Sequence, residues 1–475
     1  MQSVEYRTTG ALVLGLGGLV VAASLLFTQQ HHADALPAFA AQTGQPCTAC
    51  HIGGFGPQLT PFGRAFKING YTQGGGQGLQ AHIPLSAMLQ GSFTHTAKSL
   101  PDGSQPHTYD TNNNFAFDQA SIFVAGRVSD HTGGFIQLTY NNVDNRTTPG
   151  SNGLSVDNTD LRPYTTTVQA FGNDLTLGVS VNNNPSVQDP YNSTFAWGYP
   201  YYGAGLAPTP GAASILAGTF AGNAIGVTAY AWYNEHLYLE AGGYEAMSPW
   251  LQNRFGEAAG GAPIVSSGLM PYLRAAYEWD WGNNAAWAGG TFMHAALNPL
   301  YQTGNDSYND YAIDGGYEFL GTGKNIVTLQ GIFVHEDQEL KGTTANYNAT
   351  NGTNYGSGNS LNTLSVNLAY WFENTYGLTL GWQRIWGPSS QVAYGLAGSN
   401  PISFNGKPNS NAFTIEADWV PFGQEKSLWR PWANVKLGLQ YTLYTEFNGA
   451  SSNYDGAGSN AGDNNTLVLY AWTAF

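Results

Sequence analysis

Residues 433–443 read ANVKLGLQYTL, and apolar and polar side chains alternate along this stretch. Leu437, Leu439 and Tyr441 fall on one face of an extended chain, whereas Lys436 and Gln440 fall on the other. Alternation with a period of two predicts a strand with an apolar environment on one side and a polar environment on the other. A length near ten residues is typical of a tilted strand that crosses a membrane.

Segments with the same alternation recur from residue 84 to the end of the chain. In one of them, Leu378, Leu380 and Trp382 oppose Thr379 and Gly381. We identify sixteen such segments, near residues 84–95, 115–128, 132–141, 162–172, 174–183, 224–233, 236–246, 270–281, 285–294, 310–320, 325–335, 362–372, 375–386, 411–420, 433–444 and 466–475.

The connections between these segments alternate between long and short. Long connections such as 336–361 and 445–465 are rich in Asn, Gly and Ser, and short ones such as 321–324 resemble turns. An even number of strands with this alternation predicts an all-β fold, an antiparallel outer-membrane β-barrel of about 16 strands. A soluble β-helix or sandwich is the alternative, and a weak further segment near 212–219 would make the strand number odd.

The composition excludes several classes of protein. The 475 residues include 16 Lys+Arg and 31 Asp+Glu, a net charge of −15, and only 10% of the residues are charged. Aromatic residues make up 13% and glycine contributes 61 residues, which argues against disorder. The low number of basic residues and the absence of a basic cluster argue against a nucleic-acid partner.

The N-terminus predicts export from the cytoplasm. Arg7 precedes an uncharged apolar stretch, residues 11–27, and Ala33-Asp34-Ala35 follows it. A basic start, an apolar core and a small-x-small site are typical of a secretory signal peptide, which we assign to residues 1–35. An uncleaved anchor helix is the alternative.

Cys47, Cys50 and His51 form a C-x-x-C-H motif, and Cys47 and Cys50 are the two cysteines of the chain. This motif predicts covalent attachment of one c-type haem through Cys47 and Cys50, with His51 as the proximal ligand of the haem iron. A redox-active disulfide and a chance match are the alternatives.

The distal ligand of the haem iron is not defined by a motif. Met88 and His82 follow the haem motif, and we favour Met88 over His82, although a methionine in an apolar strand commonly serves packing. Arg64 and Lys67 are candidates to pair with the haem propionates, and ordinary surface charge is the alternative.

The haem motif lies in a segment too short to bury its own core, residues 36–83. A barrel of sixteen strands, residues 84–475, has a lumen wide enough to hold a plug. Because an even strand number puts both ends of the barrel on the periplasmic side, we expect the haem segment to enter the lumen from the periplasm.

Several stretches closely resemble the fused cytochrome–porins of iron-oxidising bacteria: residues 36–45 (LPAFAAQTGQ), the motif 47–51, residues 56–67 (GPQLTPFGRAFK) and 70–71 (GY). Residues 441–444, 447–449 and 463–467 look like the C-terminal end of the same family. The resemblance is specific over residues 36–71, recognisable at the C-terminus and only architectural between them.

The resemblance implies a one-haem outer-membrane cytochrome, an oxidoreductase that oxidises extracellular Fe(II). It implies a periplasmic cytochrome or copper protein as the electron acceptor, and it assigns Cys47 and Cys50 to haem attachment and His51 to the proximal position. It gives no residue that binds Fe(II). Four carboxylates that we expect to face the lumen suit Fe(II), although carboxylates are also the usual polar lining of a barrel: Glu278, Asp280, Glu416 and Asp418.

The function predicted from the sequence is therefore transfer of an electron from extracellular Fe(II) across the outer membrane to a periplasmic carrier. One alternative is an electron conduit for a different extracellular donor or acceptor. Another is a porin in which the haem segment is a structural plug.

Overall fold

The computed structural model describes residues 37–77, 84–99, 109–143, 153–185, 187–194, 201–217, 220–256, 263–299, 304–399, 401–424, 427 and 433–475. The predicted signal peptide and His82 lie outside the described residues. The described residues form sixteen antiparallel strands in one closed barrel, which confirms the predicted fold class.

The strands follow one another around the barrel in chain order, and each pairs with its neighbours in the sequence. Their bounds are β1 Leu85–Thr96, β2 Asn114–Arg127, β3 Gly133–Asn141, β4 Leu154–Ala170, β5 Asn173–Asn182, β6 Ala224–Tyr233, β7 Leu237–Ala246, β8 Met270–Trp281, β9 Asn284–Leu297, β10 Asp306–Phe319, β11 Asn325–Leu340, β12 Gly358–Phe372, β13 Tyr376–Trp386, β14 Ser410–Trp419, β15 Asn434–Glu446 and β16 Thr466–Ala474.

The helices are short and lie in the segment before β1 or in the connections between strands. They are α1 Pro37–Thr43, α2 Cys47–Cys50, α3 Pro61–Ile68, α4 Pro249–Arg254 and α5 Lys341–Asn351, with 3-10 helices at Ile52–Gly54, Ile215–Ala217 and Ala461–Asn464. Among the described residues, none of the helices has both the length and the apolar character of a membrane span.

The barrel closes where the first strand pairs with the last. Met88 of β1 is paired with Ala474 of β16, and the pairing continues to Thr96 opposite Thr466. The backbone N–H of Ala87 also donates to the carbonyl oxygen of Phe475 at 2.6 Å. Closure leaves no free sheet edge, so the backbone polar groups of the wall are satisfied within the sheet.

The two faces of the wall differ in polarity, as the alternation predicts. On β13, Leu378 and Leu380 are exposed on the outside, whereas Thr379 is buried against the lumen. On β15, Leu437 and Leu439 are exposed, whereas Lys436 and Gln440 are buried. An apolar outer wall around a polar interior is the structure of an outer-membrane barrel, in which the outer wall contacts lipid.

The short connections lie at one end of the barrel and the long ones at the other. Short turns include 171–172 and 282–283, whereas 341–357 and 447–465 are long. Outer-membrane barrels have short turns in the periplasm and long loops outside the cell, so the short-turn end is periplasmic. In the weak segment near 212–219, the described residues 212–217 do not form a strand, because they include the 3-10 helix Ile215–Ala217.

Two pieces of chain fill the lumen. The haem segment, whose described part is residues 37–77, packs inside the periplasmic half of the barrel, and we call it the plug. The described parts of the connection between β5 and β6 fold inward from the extracellular side and contact the plug, and we call them the inner loop: residues 183–185, 187–194, 201–217 and 220–223. Phe66 and Tyr71 of the plug share one buried cluster with Phe135 of β3 and Val187 of the inner loop.

The lipid contact of the outer wall is testable at the middle of β13. We expect Leu380→Arg to lower the free energy of unfolding in lipid vesicles by about 2–4 kcal/mol, because a guanidinium at the bilayer midplane loses its hydration. Leu396, an exposed leucine of the extracellular connection 387–409, provides the matched control Leu396→Arg. Unfolding in denaturant measures both variants, and equal destabilisation would contradict a lipid-facing Leu380.

Candidate functional site

The haem motif lies at a partly exposed position of the plug. Each residue of α2, from Cys47 to Cys50, is half-buried, as is His51, although Ile52 and Gly53 directly after it are buried. The next helix, α3, fixes the position of α2. Thr60 caps the start of α3 by accepting from the N–H of Gly63 at 3.1 Å, and its hydroxyl donates to the carbonyl oxygen of Ala49 at 2.5 Å.

Gly63 allows α3 to lie directly against the haem motif. A Cβ atom at this position would lie 2.3 Å from the carbonyl oxygen of Cys50, which is closer than any side chain tolerates. The backbone N–H of Thr60 donates to the same carbonyl oxygen at 3.0 Å. The sequence TPFG after the motif therefore holds the two cysteines and His51 in one rigid unit.

The two cysteines are thiols that are not joined in a disulfide. Burial, with Cys47 nearby, raises the pKa of the Cys50 thiol to about 12. Two thiols on one half-exposed helix match the requirement of a group that attaches through both sulfurs.

The ring of His51 forms one hydrogen bond, and one of its nitrogens has no hydrogen-bond partner among the described residues. Burial lowers the pKa of His51 to about 4, and a hydrogen bond with the backbone of Gly56 opposes this shift. The Nδ1 atom of His51 is buried and has no hydrogen-bond partner among the described residues. A metal-binding histidine is neutral and has one nitrogen oriented by a carbonyl and one on the metal, so His51 fits the predicted role.

Barrel residues hold the chain directly after His51 at the periplasmic end. The N–H of Gly53 donates to Asn374 Oδ1 at 2.9 Å, in the turn between β12 and β13. Asn434 Nδ2, at the start of β15, donates to the carbonyl oxygen of Gly54 at 2.6 Å. These contacts place the haem motif beside the periplasmic turns, as the strand parity predicts.

A small cavity lies beside the motif, among the plug, the inner loop and the strands β12 to β16. It has a volume of about 20 Å³ and is lined by residues that include Phe55, Tyr202 and Trp472. Such a volume holds about one water molecule, so this cavity is too small for a haem.

Arg64 connects the plug to the barrel wall. Its guanidinium is buried and forms ion pairs with Glu278 of β8 at 2.5 Å and Glu318 of β10 at 2.9 Å. It also donates to the carbonyl oxygen of Leu59 at 2.7 Å and lies 5.0 Å from the ring centre of Trp287. Because these partners satisfy the guanidinium, the expectation that Arg64 pairs with a haem propionate is not supported.

Lys67 connects the plug to the inner loop. Its ammonium group donates to the carbonyl oxygen of Asp189 at 2.8 Å and to Asn192 Oδ1 at 3.1 Å, and burial lowers its pKa to about 8. The Asp189 carboxylate in turn pairs with Arg274 of β8 at 2.9 Å. Lys67 is therefore also engaged within the lumen, so it is not positioned as a propionate partner.

Met88 faces the lumen from β1. It is buried in the cluster that contains Phe66, Phe123 and Phe135, and its sulfur lies 3.7 Å from Gln90 Nε2. These neighbours give Met88 a packing role, and none of its described contacts is with His51. The assignment of the distal ligand to Met88 or to His82 stays a prediction.

Three of the four predicted carboxylates are buried in the lumen, and cations or hydroxyls engage them. Glu278 pairs with Arg64, and Lys436 lies 3.0 Å from Glu416 and 3.1 Å from Asp418. Asp280 is exposed at the periplasmic end of β8. Among the described residues, His, Cys, Asp and Glu side chains form no group of three or more that would hold a metal ion.

An aromatic cluster joins the plug to the inner loop. The ring of Phe55 meets that of Trp472 edge to face, with centroids 4.9 Å apart. Trp472 packs against a buried cluster in which Tyr470 and Tyr202 stack at 4.2 Å and 10°. Tyr202 of the inner loop donates to Asp118 of β2 at 2.8 Å.

Sequence reasoning missed the inner loop as part of this site. Asp189, Tyr191 and Asn192 contact the plug, and Tyr202 reaches the opposite wall. The one available signal was the length of the interval between β5 and β6, because a long connection of an outer-membrane barrel either projects outward or folds into the lumen. Composition does not distinguish these two outcomes.

The ion pairs of Arg64 generate a prediction about plug stability. We expect Arg64→Met to lower the free energy of unfolding by about 3–5 kcal/mol, because it leaves two buried carboxylates without a cation. The control is Arg127→Met, which removes an exposed ion pair with Asp130 and should cost less than about 1 kcal/mol. Denaturant titration measures both.

Adding Glu278→Gln and Glu318→Gln to Arg64→Met should restore part of the lost stability, because the uncompensated charges disappear. Equal stability of Arg64→Met and the wild type would contradict this role of Arg64.

Comparison with known proteins gives a likeness in fold. No protein-family model matches the sequence, and no curated protein matches it. Among solved structures, the chain is similar to a loop L8 deletion mutant of OmpT, an outer membrane protein of Vibrio cholerae, at 11% identity and a TM-score of 0.43, over 82% of this chain and 98% of that one. It is similar to the outer membrane channel DcaP of Acinetobacter baumannii at 12% identity and a TM-score of 0.43, over 82% and 96% of the two chains.

Proposed function

We propose that this protein carries single electrons across the outer membrane, from extracellular Fe(II) to a periplasmic cytochrome or copper protein, through one covalently attached haem. The observation that carries the proposal is the C-x-x-C-H motif held inside a closed transmembrane barrel. A redox group at this position would lie where a lipid bilayer otherwise insulates the two sides. The haem supplies one-electron chemistry at its iron when it is bound.

The residues around the motif support haem attachment. Cys47 and Cys50 are half-buried in the plug, and His51 beside them has a ring nitrogen without a hydrogen-bond partner among the described residues. Thr60 and Gly63 hold these groups in one geometry, and contacts from Asn374 and Asn434 hold the segment beside the periplasmic turns. This location supports transfer to a soluble periplasmic partner.

The packing of the lumen supports electron transfer in preference to solute passage. Arg64 and Lys67 fasten the plug to the wall and to the inner loop by buried polar contacts. Phe55, Trp472 and Tyr202 continue this packing toward the extracellular half. Electron tunnelling weakens steeply with distance and with gaps in packing, so these contacts favour it along the part of the lumen that they cover.

The resemblance over residues 36–71 supports Fe(II) as the donor. Removal of one electron from a dissolved ion requires neither an acid–base pair nor a nucleophile. The reaction would oxidise Fe(II) to Fe(III) outside the cell and reduce a bound haem from the ferric to the ferrous state. An electron conduit for another extracellular donor or acceptor shares the same structural support. A porin with a structural haem plug is the alternative of a different class, and ion conductance in a planar bilayer would favour it.

Haem attachment is the first test. We expect the wild type, produced with a haem-attachment system, to keep haem on a denaturing gel, because thioether bonds survive denaturation. Cys50→Ala and His51→Ala should lose most of it, whereas His131→Ala, which changes an exposed histidine of a periplasmic turn, should keep it. Haem staining and the alkaline pyridine spectrum measure this, and equal haem in His51→Ala and the wild type would contradict the assigned proximal role.

The donor is tested by mixing haem-loaded protein with Fe(II) without oxygen, at acid and at neutral pH. We expect rapid reduction of the haem, followed by its visible bands. Reduction by dithionite but not by Fe(II) would remove Fe(II) as the donor and favour the other proposed functions.

The distal ligand is tested by Met88→Leu, with Met293→Leu, a buried lumen methionine in another cluster, as the control. If Met88 binds the iron, Met88→Leu should abolish the charge-transfer band of a ferric methionine-bound haem and lower the reduction potential. An unchanged spectrum would restrict Met88 to packing.

A further inference from the structure

The extracellular end of the outer wall carries a repeated pairing of basic residues with asparagine. In three strand pairs, a histidine Nδ1 lies 2.8 Å from an asparagine Oδ1. In a fourth, Arg384 of β13 is the register partner of Asn411 of β14. We call these four pairs the basic girdle: His95–Asn113, His294–Asn309, His335–Asn362 and Arg384–Asn411.

Each pair of the basic girdle lies next to aromatic side chains on the outside of the barrel. The ring pairs and their centroid distances are Phe93–Phe115 at 4.7 Å, Phe292–Tyr311 at 5.3 Å, Phe333–Trp386 at 5.9 Å and Trp382–Phe413 at 6.5 Å. Aromatic residues concentrate where the hydrocarbon of a membrane meets its headgroups. The basic girdle therefore lies at the headgroup level of the outer leaflet.

Arg384 is the permanent positive charge of the basic girdle. It continues the outward row of Leu378, Leu380 and Trp382 on β13, is exposed, and lies 5.2 Å from the ring centre of Trp386. The ion pairs found among the described residues do not include Arg384. A charged side chain at the edge of a bilayer is stabilised when it meets an oppositely charged partner.

A groove of about 470 Å³ opens beside this guanidinium on the outer wall. It is lined by Trp382, Arg384, Asn411, Phe413, Thr445, Glu446 and Ser451. Hydrogen bonds fix its walls, since Trp382 Nε1 donates to Asn411 Oδ1 at 2.8 Å and Asn411 Nδ2 donates to Thr445 Oγ1 at 2.6 Å. Glu446 is the carboxylate of this lining, so an anion would bind on the Arg384 side.

We propose that this groove binds the phosphorylated headgroup of an outer-leaflet lipid. The Arg384 guanidinium would donate two hydrogen bonds to one phosphate, a geometry that suits the planar fork of arginine. The acyl chains would run along Trp382 and Phe413 toward the apolar part of the wall. The occupant follows from the place of the groove at the membrane boundary and from the exposed Arg384 guanidinium, which has no ion pair among the described residues, and it does not depend on haem or Fe(II).

The test compares Arg384→Gln with Arg254→Gln. Arg254 is a matched control because it is also exposed and lies 5.7 Å from the ring centre of a tryptophan, Trp250, but it belongs to α4 in an extracellular connection. Purified protein in detergent is titrated with a bisphosphorylated lipid A and with its dephosphorylated counterpart, and bound lipid is counted by native mass spectrometry. Heat-dependent migration on a gel confirms that each variant is folded.

We expect the wild type and Arg254→Gln to bind the phosphorylated lipid about tenfold more tightly than its counterpart, and Arg384→Gln to lose this preference. Equal preference in Arg384→Gln and the wild type would overturn the proposal. Loss of the preference in Arg254→Gln as well would also overturn it, by showing a general effect of charge. Inorganic phosphate that displaces the lipid at equal concentration would assign the site to the free ion instead.

Discussion

The sheet closes by pairing of β1 with β16, and this closure determines the environment of every inward-facing side chain. A chain that lies in lipid has no water to satisfy its backbone, so the sheet must close, and closure fixes the lumen as an enclosed space. Every side chain that points inward then requires a partner inside. The plug and the inner loop supply these partners, and buried ion pairs such as Arg64 with Glu278 and Glu318 hold them in place.

Different residues of the plug hold it in the barrel and offer sulfur atoms for haem attachment. Arg64 and Lys67, on α3, face the barrel and the inner loop, whereas Cys47 and Cys50, on α2, remain half-exposed. The hydroxyl of Thr60 and the missing side chain of Gly63 join the two helices into one unit. A cofactor on α2 would therefore be held by a rigid unit of the plug.

Much of the fold could be predicted from the sequence because strand alternation is a local property. Leu437 faces outward and Lys436 faces the lumen because successive side chains of a strand point to opposite faces. Sixteen segments with this alternation form the closed barrel. The motif at Cys47–His51 could also be recognised from the sequence, because its spacing is typical of haem attachment. The partners of Arg64 and Lys67 could not be predicted, because Glu318 and Asp189 are distant in sequence and come close only in the folded lumen. The inner loop was missed for the same reason, because local composition does not say whether a loop folds inward.

The proposed function requires that an electron added outside the barrel reaches a carrier on the periplasmic side through this protein. Vesicles that contain the haem-loaded protein and trapped ferric soluble cytochrome c, with Fe(II) added only to the outer solution, test this transfer. We expect the trapped cytochrome to be reduced with the wild type and not with His51→Ala. Absence of reduction inside, with the haem of the protein itself reduced by the added Fe(II), would contradict transfer across the membrane.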